Sequence, residues 1–223
     1  MKRVIRLMVI PSAILLCSWM TGCASFPKHR LPDTGQLLGP ADASQAVKAG
    51  YRFTSGADMG LGARQEHLEN IRLQLEKEFA DTLKDSGYFA TLSSGQGDGI
   101  SINADMVNYG NALAAALAGA IGGLSLGTIP CWATDNYRVT VKVTAPGGKQ
   151  KDYVLDDAMT TFIWIPMIVM TPSKNPNKVS TDVRKNIYRN LILKMQQDGL
   201  LPAAKKGQET SRLHVIFDIA PAA

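Results

Sequence analysis

The chain has almost nothing from which a disulfide could be made. Of its three cysteines, Cys17 and Cys23 stand within the first 23 residues and only Cys131 lies in the body of the protein. A fold stapled by internal disulfides is therefore excluded. Histidine is equally scarce. His29, His67 and His214 stand apart, and none lies at metal-ligand spacing from another histidine or a cysteine. Asp156 and Asp157 are neighbours, but on a strand neighbouring side chains point to opposite faces, which argues against a shared metal or acid–base role. The nucleophile elbow, the phosphate-binding loop and the dinucleotide fingerprint are all missing. Cys131, in Pro130-Cys131-Trp132, reads as a buried, inert thiol and not as a nucleophile. These absences leave no catalytic constellation, no metal site and no dissociable cofactor, and the expectation is a protein that is not an enzyme.

An excess of charge is also lacking. The whole chain carries +5, but Lys2, Arg3 and Arg6 stand at the extreme start with no acid beside them. Without them the balance is near neutral, which gives no footing for nucleic-acid binding.

What is present begins at the N-terminus. The basic stretch Met1-Lys2-Arg3-Val4-Ile5-Arg6 precedes an apolar run from Leu7 to Met20, broken only by Pro11, Ser12 and Ser18. That run is short of the roughly 20 residues a membrane-spanning helix needs and suits the apolar core of an export signal. It ends in Met20-Thr21-Gly22-Cys23. This tetrapeptide resembles the lipobox of bacterial lipoproteins: an apolar residue, a small residue, Gly or Ala, then Cys. The resemblance implies that residues 1–22 are a signal peptide that is removed. It implies a thioether-linked diacylglyceride on Cys23 and fatty acylation of the new amino group, palmitate being the expected chain. Ala24, where Asp would favour retention in the inner membrane, implies the outer membrane, facing the periplasm. Two or three acyl chains, at about 0.8 kcal/mol per buried CH₂, make an anchor that does not exchange freely.

The roughly 200 residues that remain suit one domain with a substantial core. Residues 23–50 hold Pro27, Pro32, Pro40, Gly35 and Gly39 without a sustained period, and read as the lipidated N-terminus and a flexible tether spanning roughly 30 Å. The alternative is that part of this stretch packs on the domain.

Residues 51–223 read as a single domain. Tyr51–Ser55 suggests a short strand and Gly56–Gly62 a loop. Leu68, Ile71, Leu75, Phe79 and Leu83 predict a helix over 66–86, closed by Gly87. Alternation predicts strands over 100–107 and 137–144, the second turning through Pro146-Gly147-Gly148 into a partner strand at Tyr153 and Leu155. Thr161–Met170 is more continuously apolar, and Pro166 demotes it to an edge strand, a bulge or two short pieces. Val183, Ile187, Leu191 and Met195 predict a second helix over 181–197, and Leu213, Val215, Phe217 and Ile219 a closing strand. The fold class expected is α+β: a mainly antiparallel sheet with two long helices on one face, plus a Gly/Ala-rich apolar insertion.

That insertion is the unusual segment. No charged residue stands between Asp105 and Asp135, and Ala115, Gly119, Gly123 and Gly127 recur every four residues, the spacing that lets helix backbones approach closely. Segment 112–129 is thus a candidate helix-packing or membrane groove. Its few strongly apolar residues offer roughly −3 kcal/mol for insertion, marginal for a spanning helix. Three readings stand open: a membrane-inserting or membrane-surface hairpin, a small-residue surface for self-association or a partner helix, and a tightly packed part of the domain. Trp132 and Trp164, with Tyr109 and Tyr137, border the apolar stretches. Phe162–Met170 is available either to pack on the insertion or to form a second apolar edge beside it.

The element order also loosely resembles small periplasmic lipoproteins that assist lipopolysaccharide assembly, activate peptidoglycan synthases or serve curli secretion. The resemblance implies a non-enzymatic binding or assembly factor held at the membrane by lipid, with an envelope protein or a second copy as partner. The alternatives are a membrane-embedding subunit of a secretion or transport assembly and, further off, an envelope hydrolase.

Overall fold

The computed structural model describes residues 22–37, 39–60, 62–95 and 97–204. All but Gly22 of the signal peptide expected over residues 1–22, and the closing strand expected around Leu213–Ile219, with His214, lie outside the described residues. The elements in chain order are β1 (Cys23–Pro27), β2 (Val47–Asp58), β3 (Gln65–Glu66), α1 (Glu69–Asp85), β4 (Phe89–Ser94), β5 (Ile100–Tyr109), α2 (Ala112–Leu124), β6 (Cys131–Thr144), β7 (Gln150–Ile163) and α3 (Pro176–Gln197). Short 3₁₀ turns occupy Ala43–Gln45 and Ile165–Val169.

The seven strands form one mixed sheet in the order β1-β7-β6-β5-β2-β3, with β4 also paired to β2. Among the described residues the parallel ladders are β2–β4 and β2–β5; the β1–β7, β7–β6 and β6–β5 ladders and the short β2–β3 pair are antiparallel. The α+β class with a mostly antiparallel sheet is as expected.

Helices α1 and α3 pack side by side on one sheet face. Phe79 of α1 stacks edge-on against Tyr188 of α3 and meets Tyr51 and Phe53 of β2. Beneath them the alternation is strict: Ile100, Ile102, Ala104 and Met106, then Val139, Val141 and Val143, are buried. Their neighbours Asn103, Arg138, Thr140 and Lys142 stand on the open face. Arg184 of α3 donates two 2.9 Å hydrogen bonds to the Glu78 carboxylate of α1, both side chains about nine-tenths buried. That fork fixes one helix on the other.

Some boundaries differ from the sequence expectation. Helix α1 begins at Glu69, and Leu68 and Ile71, expected on its buried stripe, are 71% and 40% exposed. Helix α3 starts five residues earlier than expected because Asn175 caps it, its side chain accepting from the Asn177 amide, with Pro176 in the first turn. Strand β4 was not foreseen: only Phe89 in it is buried, so it shows no alternation. The β6–β7 hairpin is far longer than expected. Its turn is closed by the Ala145 and Gly148 amides bonding to Lys149 and Ala145, with Gly147 and Gly148 at φ +91° and +86°. Thr161–Ile163 ends β7, and Pro166 sits in the following 3₁₀ turn, the two-piece outcome that the proline allows.

Residues 23–50 are not a free tether. Cys23–Pro27 is edge strand β1, paired with Ile163 back to Met159. Val47–Gly50 already belongs to β2. Between them the chain lies along α3, where Asn186 and Asn190 both donate to the Pro32 carbonyl and Asn186 accepts from the Thr34 amide. Leu37 is buried in the core. Prolines break helix period, but they do not prevent edge pairing or packing through side-chain amides.

Candidate functional site

The residues that the sequence offers for chemistry do not converge. Cys131 is buried, and its thiol lies 3.2 Å from the Ile129 carbonyl. His29 is exposed in a loop. His67 precedes α1, its Nδ1 buried without a hydrogen-bond partner among the described residues, and burial holds its pKa below the usual histidine value. Asp156 and Asp157 point to opposite faces. Asp156 takes Arg138 at 2.8 Å, whereas buried Asp157 accepts the Arg30 and Ala158 amides. Among the described residues no three acidic, histidine or cysteine side chains cluster as metal ligands would.

What does converge is apolar surface. Helix α2 forms because eight of its first nine residues are the strong helix formers alanine and leucine and because Asn111 caps it, accepting from the Ala114 amide at 3.0 Å. It ends in a Schellman turn: Leu126 adopts φ +51°, its amide bonds to Gly123, and the Gly127 amide reaches Gly122 at 2.8 Å. The helix lies on the start of β6 through its small residues. Ala118 and Gly122 are buried. A Cβ on Gly122 would come to 3.0 Å from Ile163 and 3.3 Å from the Cys131 sulfur. Leu113, Leu117, Ile121 and Leu124, spaced four, four and three apart, point the other way and are 44–89% exposed. An amphipathic helix ordinarily buries that stripe; this one turns it outward.

The sequence-predicted groove is thereby split. Ala115 is half-buried, and Gly119 and Gly123 have open space where a side chain would go. Gly127 is buried in the turn at φ +75°. The four do not form a face packed on the domain, because the sheet takes the register through Ala118 and Gly122 instead.

The 3₁₀ turn Ile165–Val169 extends the exposed surface. The Ile165 amide donates to the Gly127 carbonyl at 2.9 Å, which joins it to the end of α2. Ile165, Ile168, Val169 and Met170 are exposed, as are Leu126, Ile129, Trp132 and Trp164. Within Phe162–Met170, Ile163 therefore packs on the insertion, and Trp164–Met170 forms an exposed apolar edge beside it. Cys23 belongs to the same corner. It pairs with Ile163, which also pairs with Cys131. The Trp164 amide donates to the Gly22 carbonyl, and the Thr171 hydroxyl lies 3.1 Å from the Cys23 carbonyl. Monomers seldom expose large contiguous apolar patches; here twelve large apolar side chains are each more than a third exposed.

Between α2 and β6 lies a cleft of about 430 Å³, lined among others by Met59, Asn111, Ala115, Trp132 and Asp135. Burial raises the Asp135 carboxyl above its ordinary pKa. Next to it, burial and then the Asp135 charge push Tyr137 up to about 12. A smaller polar notch of about 220 Å³ lies between the end of α1 and α3, beside Asp85, Lys185 and Arg189. Sequence reasoning missed the Asp135 cleft; an acid directly beside an uncharged stretch was the available signal.

No family model matches the chain, and no curated protein does. Two solved structures align along most of its length. One is a dodecamer of a single-substitution variant of PelC from Paraburkholderia phytofirmans, 11% identical, covering 76% of this chain and 98% of that one, with a TM-score of 0.30. The other is protein XCC0632 from Xanthomonas campestris, of family DUF330, 9% identical, covering 74% and 99%, with a TM-score of 0.32. At that identity and superposition neither likeness assigns a function.

Proposed function

We propose that this chain is a lipid-anchored lipoprotein of the bacterial cell envelope that works without catalysis, as a binding or assembly factor. Cys23 carries the lipid, and the outer membrane, facing the periplasm, is the compartment implied by Ala24. The observation that carries the reading is the coincidence of Cys23, at the end of Met20-Thr21-Gly22-Cys23, with the corner where twelve large apolar side chains stay exposed. A lipid there would lie beside apolar surface and not at the end of a loose tether. The absence of converging nucleophile, base and electrophile among the described residues supports a binding role.

The runner-up, a membrane-embedding subunit, would require α2 to span. Its 13 residues give about 20 Å of helix, against a hydrocarbon core of about 30 Å. No helix of the described residues is long and apolar enough to cross a membrane. Mass spectrometry of the protein from its native membrane tests the lipoprotein reading. A diacylglyceryl group on an N-terminal Cys23 is expected, and an intact N-terminus upstream of Cys23 would overturn the reading.

A further inference from the structure

We infer that the outward face of α2 and the 3₁₀ turn after β7 seat on the surface of a phospholipid bilayer, so that the domain lies against the membrane in one fixed orientation. The inference deepens the lipoprotein reading and makes a separate claim about the fold.

Three observations select a bilayer as the occupant. First, the attachment point has no slack. Cys23 is the first residue of β1 and is held in the ladder against Ile163, and the Ser25 amide donates to the Lys174 carbonyl at 2.8 Å. Acyl chains leaving Cys23 would enter the membrane beside Ile168 and Val169. Second, the composition of the face is that of an interfacial surface. No charge stands between Asp105 and Asp135, and Trp132 and Trp164 sit at its border, the residues favoured at headgroup depth. Third, the charge that follows the 3₁₀ turn has one sign. From Ala158 to Thr181 the only charged residues are Lys174 and Lys178. The Lys174 ammonium lies 5.7 Å from the Phe26 ring centre, next to β1. A cationic rim beside an apolar face suits anionic headgroups. A 13-residue helix lying flat needs no spanning length and buries Leu113, Leu117, Ile121 and Leu124 together.

The chain carries its own probe. Once residues 1–22 are removed, Trp132 and Trp164 are its only tryptophans, and both border the face. The mature protein with Cys23→Ser, exported through an ordinary signal and purified without lipid, is mixed with vesicles of phosphatidylethanolamine and phosphatidylglycerol. Tryptophan emission is then read with and without brominated acyl chains. The expected result is a blue shift, quenching by the brominated lipid, and flotation with the vesicles that weakens when phosphatidylglycerol is replaced by phosphatidylcholine. Leu117→Asp with Ile121→Asp should lower the floated fraction at least tenfold while the far-ultraviolet circular dichroism stays unchanged. Unquenched emission and no flotation of the Cys23→Ser protein would overturn the inference. So would a concentration-dependent oligomer in which both tryptophans are shielded before any vesicle is added, which would make a second copy the occupant. The lipoprotein reading stands or falls separately. A lipidated native Cys23 with an unquenched Cys23→Ser protein sinks the docking alone, and vesicle binding without a native lipid sinks the anchor alone.

Discussion

Arg184 and Glu78 illustrate how a single buried pair can hold two helices in register. Burial alone would lower the Arg184 pKa, but the two hydrogen bonds and the charge of Glu78 outweigh it and hold the guanidinium above its ordinary value. Removing one partner leaves the other charge buried and uncompensated, which costs about 3–5 kcal/mol. Arg184→Met should therefore lower unfolding free energy in urea by about that amount, and it should lose more stability than the double variant Arg184→Met, Glu78→Met. Asp135 works in the opposite sense. Its folded carboxyl titrates above the unfolded value of 3.8, because burial disfavours the charge. The folded state thus holds its proton longer, and stability is lost as pH rises through that interval. Asp135→Asn should raise the melting temperature at pH 7. The gain should shrink to nothing as pH falls below about 4, the ordinary carboxylate range.

At the scale of the element, α2 separates glycines that look alike in sequence. Gly119 and Gly123 face open space, and their φ values are not in the left-handed region. Alanine at either should stabilise the helix by about 0.5–1 kcal/mol, through lower backbone entropy in the unfolded chain. Gly122 is different, because a Cβ there meets Ile163 and Cys131. Gly122→Leu should cost about 1–3 kcal/mol by overpacking and lift α2 off β6, which thermal unfolding and hydrogen exchange of 112–124 would both register. The every-fourth-residue stripe of small residues therefore does not identify the packed face; the register one residue earlier, through Ala118 and Gly122, does.

At the scale of the whole molecule, a lipid on Cys23, as proposed, would be coupled directly to the sheet. With β1 as an edge strand, a force on Cys23 acts on β7 and not on a slack linker. A Cys23→Ser protein with an ordinary export signal should partly remain with the membrane fraction after lysis and be released by Leu117→Asp with Ile121→Asp. Full recovery of the parent Cys23→Ser protein in the soluble fraction would mean that the apolar face does not by itself hold the protein to a membrane.

Much of the framework was legible because it depends on local period. Ile100–Met106, Val139–Val143 and the stripe Val183, Ile187, Leu191 and Met195 are buried as their spacing requires. The α+β class and the Pro146-Gly147-Gly148 turn follow from the same local rules, and the uncharged segment 112–129 could be picked out from composition alone. What the tertiary structure decided are the pairings between distant segments. Prolines at 27, 32 and 40 read as a tether because their partners, β7 and the α3 asparagines, lie more than a hundred residues away. Strand β4 gains its hydrogen bonds from β2, a neighbour that no local pattern announces, and the β6–β7 ladder runs well past the alternation that predicts it. Helix α2 turns its leucines outward because the sheet, by presenting Ile163 and Cys131, accepts only small residues there. Local period can say that a face is apolar. Which way that face points depends on what the rest of the chain has left to pack against it.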